Sequence, residues 1–359
     1  MFPFIKFIIR RLLFMLATIF VVSAMLYGFF VLFIPPEVRA TAYIPPWEGR
    51  GNMENLIEST IEEYGLSDPY IVQYARWVRN LLQGDWGTST MMNDEVLDIL
   101  LTRTPATAEL LIFSLLIFIP LGLVCGVWAG WKNGRSFDLG FRLTAFVTTS
   151  IPPFILGLML LAIFYIGLYW FPTGRLSVKN KVIVSASEFR SYTGLLMVDG
   201  LLNGHPEVSS DALRHLVLPA FTLSLTYWAT LGRVTRSAMI EEMHSDYVTT
   251  ARSKGLRMDQ VVWRHAFRNA TIPGINSIAL SAAMFLTNAC IIEIIFGYPG
   301  ISYPLTKTTG GFWFGQSPDV DMALGFAVYS ILLVIPLIIV MDIIQALVDP
   351  RIREGIYEL

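Results

Sequence analysis

The polar run at residues 241–273, EEMHSDYVTTARSKGLRMDQVVWRHAFRNATIP, gathers the side chains best suited to chemistry, and that chemistry is recognition of another surface. Covalent or metal chemistry has no comparable support elsewhere. His205, His215, His244 and His265 fall in separate segments, without ligand spacing. Cys125 and Cys290 lie within apolar runs, where a thiol behaves as a small hydrophobe; two such residues form neither a disulfide framework nor a metal site. Asp85 has no partner carboxylate or histidine nearby in sequence and reads as a turn residue. No nucleophile, base and orienter come together. No G-x-x-x-x-G-K-[ST] run exists, so the chain lacks the loop that cradles nucleotide phosphates and does not hydrolyse ATP through that machinery.

The 241–273 run predicts two short amphipathic helices. The first starts near Ser245 or Asp246, both good N-cap residues, and stops at Gly255, which tolerates the left-handed backbone that closes a helix. Lys254 on its last turn suits the helix dipole. Ile240, Met243, Tyr247 and Ala251 recur at helical spacing and form an apolar stripe that must be buried. The second helix starts at Asp259 and carries Val262, Trp263, Ala266 and Phe267 towards Pro273, with Arg264, His265 and Arg268 between them. Periodicity alone leaves two destinations open: a groove on a partner, or lipid headgroups attracted by the basic residues.

The elements that would position this run are membrane spans. Of the 359 residues, 54% are hydrophobic and 15% charged, and the mean hydropathy is +0.56, beyond an ordinary soluble domain. The net charge of -2 gives no sign of a nucleic-acid partner. Residues 12–34 form an apolar run of about 34 Å at about 1.5 Å per residue, enough to cross the hydrocarbon core. Ala40, Thr41 and Ala42 mimic a signal-peptidase site, but the run is too long for a signal peptide, so a retained first span is expected. Further spans are expected at about 106–131, 139–170, 214–236, 273–296 and 322–347. Pro152 and Pro153 fall inside the third and predict a kink there, serving as a hinge or pathway lining, or as static packing. In the 35–105 segment Asp68 and Pro69 open a helix whose expected apolar face is Ile71, Tyr74, Ala75, Val78, Leu81 and Leu82, ended by Gly84.

No span places an ionisable residue at its middle; Glu109, Glu293 and Asp342 all fall near expected ends, which weakens a proton- or sodium-coupled carrier. Glu293 is read either as a carboxylate pairing across a pathway near an exterior gate or as one reaching the headgroups. Asn276, Thr287 and Asn288 either line a polar pathway or bond between helices.

Orientation follows from charge. With the N-terminus, the 132–142 turn, the 241–273 run together with Arg233 and Arg236, and the C-terminus inside, that side holds more than half of the 26 Lys and Arg on the shorter total length.

Several of these positions resemble one family. Asp246, Tyr247, Val248, Thr250, Ala251, Arg252, Lys254, Gly255 and Leu256, followed by His265, Ala266, Arg268, Asn269, Ala270 and Pro273, resemble the cytoplasmic loop of ABC-importer permeases of the dipeptide, oligopeptide and nickel branch. Ala251 and Gly255 keep their places in that family's E-A-A then G motif, while Thr249 stands where the glutamate would be, a departure common in the peptide branch. The likeness extends to residues 64–89 and 103–107, to Glu293, Phe296, Pro299 and Gly300, and to the ending Asp349, Pro350 and Arg351.

The resemblance implies an all-α integral membrane protein with the type I ABC importer permease fold, six transmembrane helices and both termini cytoplasmic. Its expected parts are an N-terminal transmembrane helix at 1–34, an extracytoplasmic segment at 35–105, and a five-helix core at 106–347 with a coupling loop at 239–272. A cytoplasmic tail at 348–359 completes it. The implied role is a non-catalytic permease subunit in a prokaryotic cell membrane, carrying peptides or, alternatively, oligosaccharides or nickel chelates. Implied partners are a second homologous permease, two ABC ATPase subunits that bind ATP and Mg, an extracytoplasmic substrate-binding protein and membrane lipid. Tyr247, Val248, Thr250, Ala251, Arg252, Lys254, Gly255, Leu256, His265, Arg268 and Asn269 are the implied coupling residues; Pro152, Pro153, Asn288 and Glu293 are candidates for the pathway or gate. An ion-driven carrier acting without an ATPase stays open as the alternative.

Overall fold

The computed structural model describes residues 2–41, 43–44, 53–306 and 319–348. Ala42 and the ending at Asp349, Pro350 and Arg351 lie outside them. The chain divides into two compact units, one taking residues up to Thr104 with Ile301–Ile335, the other Pro105–Gly300 with the rest of the last helix.

The first unit contains α1 (Phe2–Phe33), α2 (Pro36–Ala40), α3 (Met53–Tyr64), α4 (Tyr70–Leu82) and a two-stranded antiparallel hairpin, β1 (Thr88–Ser89) with β2 (Asp94–Glu95). It also holds the start of α5 (Val96–Trp131) and of the last helix, α15 (Val320–Val348). α4 ends as expected, with Gly84 in the left-handed region at φ +90°, but buries only part of the face periodicity predicts. Of that face Tyr74 is buried as expected, Ile71 and Leu82 are 76% and 85% exposed, and the polar Gln73 is buried beside Tyr74. Phenol chemistry decides this. The Tyr70 hydroxyl donates to the Ala24 carbonyl of α1 at 2.6 Å, and the Tyr74 hydroxyl lies 2.8 Å from Ser23 Oγ, while Trp77 packs on Tyr27. Asp68 does not cap α4; its carboxylate pairs with Arg76 at 2.5 Å, and Pro69 holds the N-cap position. Asp85 accepts the Gly87 N–H at 3.1 Å, the turn role expected of it.

The second unit continues α5 and adds α6 (Ser136–Ser150), α7 (Pro153–Leu161) with a π-helical turn at Ala162–Gly167, α8 (Val178–Val184), α9 (Leu196–Leu202) and α10 (Pro206–Glu242). After these come α11 (Asp246–Ser253), α12 (Met258–Gln260), a second π turn at Val261–Ala266, α13 (Phe267–Ala270) and α14 (Ile272–Phe296). Where one kinked span was expected at 139–170, the helix stops. α6 and the segment from Pro153 to Gly167 meet at 103°. Proline disfavours helical geometry in the residue before it: Ile151 and Pro152 are extended, at ψ 125° and 141°, and Pro153 restarts the helix at a first-turn position where its missing N–H costs nothing.

By length and composition Leu12–Phe33 and Val96–Trp131 are long and apolar enough to cross a membrane, and the bent pair would be a third crossing if counted as one. α10, α14 and α15 occupy the places of the expected fourth to sixth spans, with α10 extending beyond its expected ends in both directions.

α5 and α10 meet through glycines one turn apart. A Cβ on Gly126 would come within 2.6 Å of the Gly232 carbonyl oxygen, and one on Gly130 within 2.7 Å of the Arg236 carbonyl oxygen. Small residues let membrane helices approach until their backbones touch, and backbone cannot swing aside. Gly126→Ala is therefore expected to cost about 1–3 kcal/mol, as overpacking does, read as a fall in thermal unfolding temperature in detergent. Gly140, with open space around it, is the control: its Ala variant should be neutral or slightly stabilising through helix propensity.

Candidate coupling site and the buried polar groups

The 241–273 run forms a folded hairpin rather than a loose loop. Its first helix starts and stops where expected: Ser245 is the N-cap of α11, Lys254 its C-cap, and Gly255 takes φ +80°. The second begins one residue before Asp259, at Met258, and widens into the π turn before α13. Apolar side chains from both arms converge on the ends of α5 and α10. Val248, Ala251, Val261, Val262, Ala266 and Ala270 are buried together with Val127 and Met239, and Trp131, Met243, Tyr247 and Phe267 pack against them. The apolar stripe is thus satisfied within this chain.

Among the eleven implied coupling residues, Val248 and Ala251 face inward as the anchor, and Tyr247 is half-buried. Thr250, Arg252, Lys254, Gly255, Leu256, His265, Arg268 and Asn269 are exposed. Leu256 and Trp263, 39% and 40% exposed, set apolar surface among those cations. The Tyr247 hydroxyl donates to the Glu242 carboxylate and also interacts with the Asn269 side chain. Burial, with the Glu242 carboxylate beside it, pushes that hydroxyl up to about 12, so it stays a donor across the physiological range. Tyr247→Phe should cost about 1.5 kcal/mol, the lower end for a hydrogen bond to a charged group, seen as reduced thermal stability with the helices retained. No loss would mean that the bond does not hold the hairpin.

Asp138, at the start of α6, is buried and bonds Arg236 of α10 through both oxygens, at 2.5 and 2.9 Å, while also accepting the Gly134 N–H at 3.0 Å. The bidentate pair fixes the turn after α5 against α10. The sequence reading missed this pairing because its partners lie 98 residues apart.

The pathway and gate candidates sit apart from the hairpin in sequence. Pro152 and Pro153 form the break between α6 and α7. Asn288 donates to the Tyr227 hydroxyl at 2.7 Å, beside the Phe118 and Phe285 rings, which is a bond between α14 and α10. Glu293 is 1% exposed, so its carboxylate is enclosed by protein and does not project from the surface. It accepts the Thr107 hydroxyl at 2.5 Å, and Gly300 lies against it with no room for a Cβ.

Glu109 is the functional-looking residue that sequence position undervalued. It was expected near a span end, yet α5 begins at Val96, so Glu109 lies well inside the helix and is 2% exposed. Arg175 donates to its Oε2 through Nε at 3.2 Å and Nη2 at 2.9 Å; Tyr298 Oη donates to the same oxygen at 3.1 Å, and the Met197 N–H to Oε1 at 3.0 Å. Arg175 Nη2 also donates to the Gly194 carbonyl at 2.7 Å. A carboxylate in an apolar run signals a need for compensation, but Arg175, Met197 and Tyr298 lie in three distant segments.

A chain of long apolar helices with a folded basic hairpin between two of them has the architecture of a helical membrane protein. Residues 122–354 match the family described as the binding-protein-dependent transport system inner membrane component, and residues 4–111 match that family's N-terminal region. The di/tripeptide transport system permease protein DppB of Pseudomonas aeruginosa is 35% identical, over 98% of this chain and 99% of its own length. The oligopeptide transport system permease protein AppB of Bacillus subtilis is 33% identical, over 82% and 84% respectively. The oligopeptide permease protein OppB of Salmonella typhimurium is 29% identical over 97% and 99%. The chain belongs to the binding-protein-dependent transport system inner membrane components, the non-catalytic permease subunits of ABC importers, in which separate subunits hydrolyse ATP.

Proposed function

We propose that the chain is one permease subunit of an ATP-driven importer of peptides, spanning a bacterial inner membrane six times with both ends in the cytoplasm. It forms half of the pathway beside a second, homologous permease. Substrate arrives from an extracytoplasmic binding protein and passes by alternating access. Two ATPase subunits, which bind ATP and Mg, sit on the cytoplasmic face, and the hairpin at 241–273 docks in a groove on one of them. Peptide is the substrate class favoured over oligosaccharides or nickel chelates because the relatives matched along most of their length are peptide permeases by name.

The observation that carries the docking reading is the hairpin's two-sidedness. Most of its apolar residues anchor it to α5 and α10, leaving an outward face of Arg252, Lys254, Arg264 and Arg268 with Leu256 and Trp263 among them. A helix lying on lipid would turn its apolar stripe outward. A hairpin anchored this way transmits force to the spans when a partner moves it. The ion-coupled alternative gains nothing from Glu109, the carboxylate it would need, because four donors already hold it. Purification in mild detergent should bring down two ATP-hydrolysing subunits, and a cysteine at Leu256 should cross-link to one of them. Transport-active chain purified alone would sink the proposal.

A further inference from the structure

The first unit encloses a cavity of about 60 Å³ that the transport reading does not use. Its wall contains Arg39 on one side and Asp321 on another, with Tyr27, Tyr43 and Trp77 among the residues between. Among the described residues neither makes an ion pair, although the Glu37 carboxylate lies within electrostatic range of Arg39. Arg39 is buried, and its terminal nitrogens donate to neutral acceptors, Gln73 Oε1 at 2.9 Å and the Leu66 carbonyl at 2.8 Å. Its Nε is buried with no partner, and burial pulls the guanidinium below its usual proton affinity. Asp321 takes the Thr88 backbone N–H and presses on Gly87, with the like charges of Asp319 and Asp85 in range. Among the described residues no cationic side chain pairs with it, and Arg39 and Asp321 do not pair with each other. Tyr27 and Tyr43 feel both charges, which places the two phenols within electrostatic reach of each.

An isolated buried charge is disfavoured unless something neutralises it. Here one small molecule bearing both signs would neutralise both ends. We propose that this cavity binds a small zwitterion, its anionic group beside the Arg39 guanidinium and its ammonium by the Asp321 carboxylate among the Tyr27, Tyr43 and Trp77 rings. The aromatic walls suit an ammonium through cation–π attraction. The volume admits about four to six water-sized centres at about 10–15 Å³ each, the size of glycine or of an ethanolamine phosphate, and excludes an oligopeptide. Two sources carry that chemistry: a free amino acid, or the headgroup of phosphatidylethanolamine reaching in past Phe30 and Val31 on the outer part of α1.

The test uses the full chain in its purified complex. Native mass spectrometry reads retained phosphatidylethanolamine, and calorimetric titration reads glycine. Asp321→Asn keeps the side-chain shape and the Thr88 bond while removing the charge, and should weaken binding about tenfold or more, as expected for a charge pair with one partner gone. Arg39→Gln should do the same; Asp321→Asn carries the test if that variant fails to fold. Retained lipid that Asp321→Asn loses, without glycine binding, assigns the site to the headgroup. A glycine isotherm lost in Asp321→Asn, without retained lipid, assigns it to the free amino acid. If folded wild-type complex takes up neither ligand, or Asp321→Asn binds as tightly as wild type, the cavity holds water only and the proposal is wrong. None of these readouts requires transport, so the outcome is independent of the proposed import function.

Discussion

Gly255→Glu is expected to leave the chain folded and inserted while reducing ATP-driven uptake to background. Gly255 sits at φ +80°, a backbone region that costs a side-chain-bearing residue about 1–2 kcal/mol. That cost is modest against the burial that anchors the hairpin through Val248, Ala251 and Ala266. A Cβ here would meet nothing within 4 Å, so the substitution meets no clash inside this chain. The glutamate instead places bulk and negative charge between Lys254 and Arg257, on the exposed face proposed to enter the ATPase groove. Its damage therefore falls on the partner contact. Uptake into vesicles and substrate-stimulated ATP hydrolysis should both drop while expression and detergent-solubilised monodispersity hold. Gly255→Asn separates strain from occlusion, since Asn accepts left-handed backbone several-fold more readily than most residues; it should retain more coupling than Glu. Normal uptake by Gly255→Glu would remove the hairpin from the coupling role.

Local rules revealed most of this hairpin from sequence and little of what surrounds the carboxylates. Ser245, Lys254 and Gly255 act through their own backbone and the next turn, so their roles follow from residue type. The break at Pro152 and Pro153 is equally local, but its size is not: tandem prolines oblige Ile151 and Pro152 to leave the helical region, and packing against neighbours sets the angle at 103°. α4 follows the expected periodicity only in part, for a different reason. Its apolar residues outnumber the aromatic ones, yet Tyr70 and Tyr74 bury both a ring and a hydrogen bond against α1, and that combination outweighs Ile71 and Leu82. Glu109, Asp138 and Glu293 depend on partners brought together only by the fold.

Glu109→Gln should be the most destabilising single change in the second unit that leaves side-chain volume intact. The amide keeps the shape and the bond from the Met197 N–H, but Arg175 then holds a charge with no carboxylate beside it, its side chain only 15% exposed. Breaking a buried pair from one side costs about 3–5 kcal/mol because the surviving charge is uncompensated, a large share of the roughly 5–15 kcal/mol that folded domains possess. Removing both charges avoids that penalty: Glu109→Gln with Arg175→Met should recover a substantial part of the loss, the rest reflecting the bonds to Gly194 and Tyr298. Thermal unfolding of both variants in detergent distinguishes this from simple loss of contacts. Equal losses in the single and double variants would show that charge compensation is not what holds Glu109 in place. A smaller loss in the double variant would mark the pair as a device that fixes the 171–205 segment on α5, at a cost in stability an apolar contact would not incur.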